Sequence, residues 1–142
     1  MTTKPGSTSK TPPADASGVL LASSFSPAPV ANQASDYTLT ITNKAGKAIT
    51  ITAIVIDVGQ GKQIATYNLA GESSPPSASQ DFVTARLEWT GSLAIANGAS
   101  TKVTFPGGFT GTAGACSFPS ITLTSTPKLT TSTFAGPKIT VK

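Results

Sequence analysis

Histidine is absent from the 142 residues, and cysteine occurs once. Without histidine the chain lacks the commonest general base and metal ligand. Neither a Ser-His-Asp nor a Cys-His nucleophile can be built from it. A lone Cys116 cannot close a disulfide within the chain, and with no acidic cluster or histidine beside it nothing activates its thiol. It reads as a small buried hydrophobe. Charged residues are only 11%, against roughly 25% in ordinary domains. The six carboxylates, Asp15, Asp36, Asp57, Glu72, Asp81 and Glu88, stand singly. Glycosidase chemistry needs two carboxyls flanking one bond, and a calcium loop needs several within one short segment. Gly107-Gly108 and Gly111 precede no helical pattern, so they do not form a phosphate loop. No stretch approaches the ~20 apolar residues of a membrane span, and residues 1–6 have no apolar signal core. The expectation is a protein made in a cytoplasm, with no catalytic residues, no cofactor and no metal.

The net charge is +4, yet no run of Lys or Arg occurs and no aromatics interleave with the basic residues. A nucleic-acid surface wants a clustered patch, so direct nucleic-acid binding is not expected, nor is membrane binding.

Serine and threonine are abundant, filling 40 positions. Four stretches alternate an apolar residue with a small polar one: residues 37–42, 49–52, 102–105 and 120–124. A period of two puts one face of a strand in a core and the other in water. These are therefore antiparallel strands wetted on one side, their outer faces solvated by hydroxyls rather than charges. Further strands are expected at 19–22, 63–69, 83–89 and 138–142. The phase slips within 49–58, where Ile49, Ile51 and Ala53 share one parity and Ile54, Ile56 and Val58 the other. A β-bulge or a strand crossing between sheets produces such a slip. Asn43-Lys44-Ala45-Gly46-Lys47 reads as a hairpin loop, Asn97-Gly98 as a turn, 72–80 as a surface loop and the glycine-rich 109–116 as a flexible loop. Residues 127–136 read as a connection. The shared parities predict a core of Leu39, Ile41, Ile51, Leu87, Trp89, Val103, Phe105, Ile121, Leu123 and Ile139. No segment of a dozen residues has a helical period. Seven or eight short strands at this spacing fit a sandwich spanning residues 18–142.

Residues 1–17 are mostly Thr, Ser, Pro, Lys and Gly. Such a segment cannot bury enough surface to offset its ordering entropy. It reads as an extended arm, mobile alone and ordered by a partner. Lys4, Pro5, Lys10, Pro12 and Pro13 are its expected partner-binding residues, and its basic character favours an acidic docking surface.

Two segments, Tyr37-Thr-Leu-Thr-Ile-Thr-Asn43-Lys-Ala-Gly46-Lys-Ala-Ile-Thr-Ile-Thr-Ala-Ile54 and Leu93-Ala-Ile-Ala-Asn-Gly98-Ala-Ser-Thr-Lys-Val-Thr-Phe105, resemble immunoglobulin-like domains of the hydin and abnormal-spindle type. The first resembles their strand, Asn, x, Gly, strand hairpin, and the second their glycine turn into an alternating strand. The chain departs from that pattern at Ala96-Asn97, where a proline is usual, and in the long glycine-rich stretch after Phe109. The resemblance implies an immunoglobulin-like antiparallel β-sandwich of a non-enzymatic scaffold, as found in bacterial surface proteins, cytoskeletal proteins and phage virions. No catalytic residues come with it.

Together these readings lead to the expectation of a structural protein of a phage virion, such as a capsid decoration or cement protein. It would bind viral capsid or other virion subunits, with self-association as a further expectation. The alternative is a carbohydrate- or surface-binding module of a bacterial cell surface, using Trp89, Tyr67 and Tyr37 as a stacking platform. Trp89 shares parity with Leu87, which favours the core over a platform.

Overall fold

Threonine's branched Cβ favours extended backbone, and each of the four Thr-rich repeats folds as a strand. The computed structural model describes residues 14–16, 18–59, 65–78, 86–129 and 131–142. Over these the chain is all-β, with thirteen strand segments and no helix. One sheet runs in the spatial order β1 (Ala14–Ala16), β2 (Val19–Ser26), β4 (Asp36–Asn43), β8 (Ser100–Phe105). A second runs β12 (Thr133–Ala135), β11 (Ser120–Thr126), β5 (Ile49–Asp57), β7 (Arg86–Ile95). Two smaller sheets are β3 (Gln33–Ala34), β9 (Gly107–Gly111), β6 (Ala65–Leu69), and the pair β10 (Gly114–Ser117) and β13 (Lys138–Val141). Every strand pair is antiparallel.

The alternation sorts side chains as the sequence predicts. Tyr37, Leu39, Ile41, Val103 and Phe105 of the first sheet join Ile51, Ile54, Leu87, Trp89, Ile121 and Leu123 of the second in one buried cluster. All ten residues expected inside are buried, Ile139 included. The result is a sandwich-like all-β fold. The phase slip in β5 is a bulge. Its register shifts between Ile51 and Ala53 against β7, and between Thr124 and Ser125 of β11 on the other side. Thr52 is the extra residue against β11, whereas against β7 the extra residue lies in β7 at 91–92, and the Thr52 hydroxyl donates to the Thr124 carbonyl at 3.3 Å. The bulge lets Ile51 and Ile54 both point into the core.

Three sequence expectations are corrected. Residues 43–47 are not a hairpin, because β4 pairs with β2 and β8 while β5 pairs with β7 and β11. The loop is an arch that carries the chain from one sheet to the other. The segment 127–136 is not only a connection, since it contains β12, paired with β11. The glycine-rich stretch after Phe109 is not a free loop, because β9 and β10 form strands there.

Close approach explains the glycines of β9. The β3–β9 pairing continues the β4–β8 register, with Ala34 opposite Gly108 and Tyr37 opposite Phe105. The two strands thus form one long ribbon that bends at Ser35 and Pro106. At that bend Tyr67 lies against Gly107. A Cβ on Gly107 would collide with the Asn68 carbonyl and sit 2.7 Å from the Tyr67 phenol. Glycine in a strand commonly marks such a contact. Gly107→Ala is therefore expected to destabilise the chain by about 1–3 kcal/mol through overpacking. Urea unfolding of the variant checks this, and an unchanged midpoint would show that the phenol does not pack on that backbone.

Candidate interaction surfaces

Aromatic residues cluster where the ribbon bends. Phe25, Tyr37, Tyr67, Phe109 and Phe118 meet tilted or edge to face, with centroids 5.0–6.1 Å apart in the Phe25 and Tyr67 contacts. The Tyr67 hydroxyl lies 2.7 Å from the Ser35 carbonyl and 2.9 Å from the Phe105 carbonyl, and it accepts from the Tyr37 amide at 3.1 Å. It thereby satisfies backbone groups that the bend takes out of the ladder. The Tyr37 hydroxyl pairs with Ser23 at 2.7 Å. Trp89 is buried, and its indole N–H donates to the Pro75 carbonyl at 2.9 Å. Trp89, Tyr67 and Tyr37 are thus core side chains, and they form no exposed stacking platform.

Burial drives both tyrosine phenols well above their ordinary range, with the Ser23 hydroxyl partly offsetting this at Tyr37. An unfolded tyrosine ionises near pH 10, whereas these two stay neutral in the fold. Their contribution to stability is present below about pH 10 and is lost as pH rises beyond it, because only the unfolded state then releases the protons. The urea midpoint is expected to fall steeply above about pH 10 and to do so less in Tyr37→Phe. An alkaline fall of equal size in that variant would assign the effect to other groups.

Cys116 is free and buried, and its thiol is pushed up by that burial. It donates weakly to the Ala65 carbonyl at 3.6 Å, which fits a packing residue. Three of the described carboxylates have partners of their own. Asp57 accepts from the Gly59 amide at 2.8 Å, Asp36 from the Gly107 amide at 3.4 Å, and Glu88 pairs with Arg86 at 3.2 Å. Among the described residues, no three His, Cys, Asp or Glu side chains group as a metal site would.

Two surfaces emerge that the linear sequence does not display. The first is the end of the sandwich built by the arch 44–48, the turn 96–99 and the connection after β11. Registers bring these together: Thr42 lies opposite Ser100, Ile49 opposite Ile95 and Thr126 opposite Thr50. Buried Asn43 fastens this end. Its side-chain amide donates to the Lys47 and Ile95 carbonyls at 2.8 and 2.9 Å, and its side-chain oxygen accepts from Ala45 at 2.8 Å. Beside it, Lys44, Lys47 and Lys128 line a pocket of about 280 Å³ with Gly18 and Leu129. Asp36, Asp57 and Glu88 lie toward the opposite ends of their strands.

The second surface is a cleft of about 530 Å³ between β2 and β13. Phe25 and Ile139 form its apolar lining, Pro29 and Pro137 bound it, and Lys138 and Lys142 are exposed on it. β1 pairs only with residues 19–21 of β2, as Ala14 stands opposite Leu21.

The expected partner-binding residues Lys4, Pro5, Lys10, Pro12 and Pro13 lie outside the described residues, and so does most of the arm 1–17. Its residues Ala14–Ala16 form β1 on the chain's own sheet. The cleft residues were missed because strand edges open or close according to which strands pair, which no single strand's pattern encodes. The inward parity of Leu21, Ser23 and Phe25 followed by Pro27 and Pro29 was the available signal. No protein-family model matches the chain, and no curated protein matches it significantly.

Proposed function

We propose that the chain is a non-enzymatic structural protein with an immunoglobulin-like sandwich, acting as a phage virion component that decorates or cements a capsid. The strand order supports the immunoglobulin-like reading. β2-β4-β8 facing β7-β5-β11-β12 corresponds to strands A-B-E against C′-C-F-G, the latter as in domains that extend the GFC sheet. The resemblance to hydin and abnormal-spindle domains supplies the virion context.

The observation that carries the docking role is the pocket of Lys44, Lys47 and Lys128. It sits at the end where β2 begins, beside Gly18. The pocket presents three cations to an acidic neighbour. The outer sheet faces, carrying Thr38, Thr40, Thr50, Thr122 and Thr124, offer hydroxyls with little charge to repel adjacent subunits.

Co-sedimentation with capsids of the phage that encodes the chain tests this. The full chain is expected to pellet with capsids at low salt and to be released as ionic strength approaches ~1 M, where the Debye length falls to about 3 Å. Deleting residues 1–13 is expected to weaken attachment while leaving thermal stability nearly unchanged. A full chain that stays in the supernatant at low salt would overturn the virion role.

A further inference from the structure

We infer that the cleft between β2 and β13 accepts an extended, acidic segment of a partner protein as an added β-strand. This rests on the structural-protein reading and names the surface through which it acts.

Three observations lead there. Among the described residues, 22–26 of β2 pair with β4 alone, β1 being described from Ala14, opposite Leu21. Among the described residues β13 pairs with β10 along one side, and on the other Lys142 bonds backbone of the 29–31 segment. Two strand edges therefore border one cleft. Exposed edges offer unpaired N–H and C=O groups, which an extended peptide can satisfy while alternate side chains fill pockets. Five or six residues at about 3.3 Å each give a slot of roughly 17–20 Å. Its lining is matched to such a strand. Phe25 belongs to the aromatic cluster yet is only half-buried, so its ring is available to an apolar residue. Ser24, Lys138, Thr140 and Lys142 are all exposed, so alternate outward residues of the strand would pass beside two cations.

Charge decides the occupant. Among the described residues the cleft's lining side chains include two lysines and no carboxylate, so they disfavour the chain's own residues 1–13, which carry Lys4 and Lys10 and no acid. Were β1's register prolonged, Pro13 and Pro12 would come opposite Ala22 and Ser23. Prolines lack the N–H that a ladder needs, and of two adjacent ones, one must face β2. A foreign strand with apolar residues alternating with carboxylates fits both the edge and the charge.

The test titrates the full chain with two synthetic octapeptides, one alternating valine with glutamate and one valine with lysine. Amide exchange and binding are read by NMR. The glutamate peptide is expected to slow exchange at those amides of residues 22–26 that point away from β4 by tenfold or more. It should bind at least tenfold more tightly than the lysine peptide. Lys138→Glu with Lys142→Glu, both exposed positions, is expected to reverse that preference. Three results would overturn the inference. One is no slowing at residues 22–26 with the glutamate peptide. Another is protection there without peptide that disappears on deleting residues 1–13, which gives the cleft to the chain's own arm. The third is protection that grows with protein concentration alone, which gives it to a second copy. Capsid co-sedimentation of the double variant separates this inference from the virion role. Undiminished attachment rejects the cleft as the docking surface and leaves the virion role standing, whereas a wild-type chain that never pellets rejects the virion role whatever the peptides do.

Discussion

Asn43→Leu is expected to destabilise the folded chain by about 3–5 kcal/mol. Leucine nearly matches asparagine in size, so the loss would come from hydrogen bonding rather than from a cavity. Three backbone groups depend on the side chain: the Lys47 and Ile95 carbonyls and the Ala45 amide. Each buried group left without a partner costs about 1–3 kcal/mol. The position also links the sheets through its backbone, since its amide donates to the Ala99 carbonyl and its carbonyl accepts from the Gly98 amide. Gly46 and Gly98, with φ of 88° and 84°, make the two turns that let these loops stack. Asn97→Ala is the control. It removes only an exposed acceptor for the Gly46 amide and is expected to cost under about 1 kcal/mol. Urea unfolding followed by Trp89 fluorescence measures both. Equal midpoints for the two variants would show that Asn43 does not hold the arch.

The core was legible because its signal is local. A residue such as Ile41 declares its face through its neighbours Thr40 and Thr42, whatever strand it later pairs with. The bulge was legible for the same reason, as the slip between Ile51 and Ile54 is written in four consecutive residues. The arch at residues 43–47 was misread because Asn, Gly and Lys between two strands serve a hairpin and an inter-sheet crossing equally well. What separates the two is whether β4 and β5 share hydrogen bonds, a long-range fact. Residues 107–117 misled for a different reason. Glycine is rare in strands because it lowers propensity, yet Gly107 and Gly108 are required where Tyr67 and Gln33 approach the backbone. The approaching groups lie about 40 and 75 residues away in the chain, so no local pattern announces them.

The candidate surfaces illustrate the same division. Lys44, Lys47 and Lys128 look like scattered cations in the sequence, and only the meeting of the arch with the connection after β11 collects them. Low overall charge makes such a collection effective, since few carboxylates are at hand to neutralise it. In the cleft, the alternation of Leu21, Ser23 and Phe25 gives the inward face, but which strands border it follows from long-range pairing.

Leu39→Ala is expected to cost about 2–5 kcal/mol, the range for emptying a packed core position of this size. Leu39 is 0% exposed, in the middle of β4, between Ser23 of β2 and Val103 of β8. Neighbours held in two ladders cannot collapse freely into the space left behind, which favours the upper half of the range. Leu123→Ala probes the other sheet. Leu123 is 2% exposed and lies opposite Ile54 beyond the bulge, so if both sheets share one core its loss should be comparable. Thr40→Ala, one residue along, supplies the parity control: its side chain is on the outer face, and the change is expected to stay within about 1 kcal/mol. Urea midpoints of the three variants decide among the possibilities. Wild-type midpoints for Leu39→Ala and Leu123→Ala would show the face assignment to be wrong for both sheets. A large loss at Leu39 with none at Leu123 would instead mean that the second sheet does not close over the first. Comparable losses at both leucines beside a silent Thr40 are what a threonine-faced sandwich with a single shared interior requires.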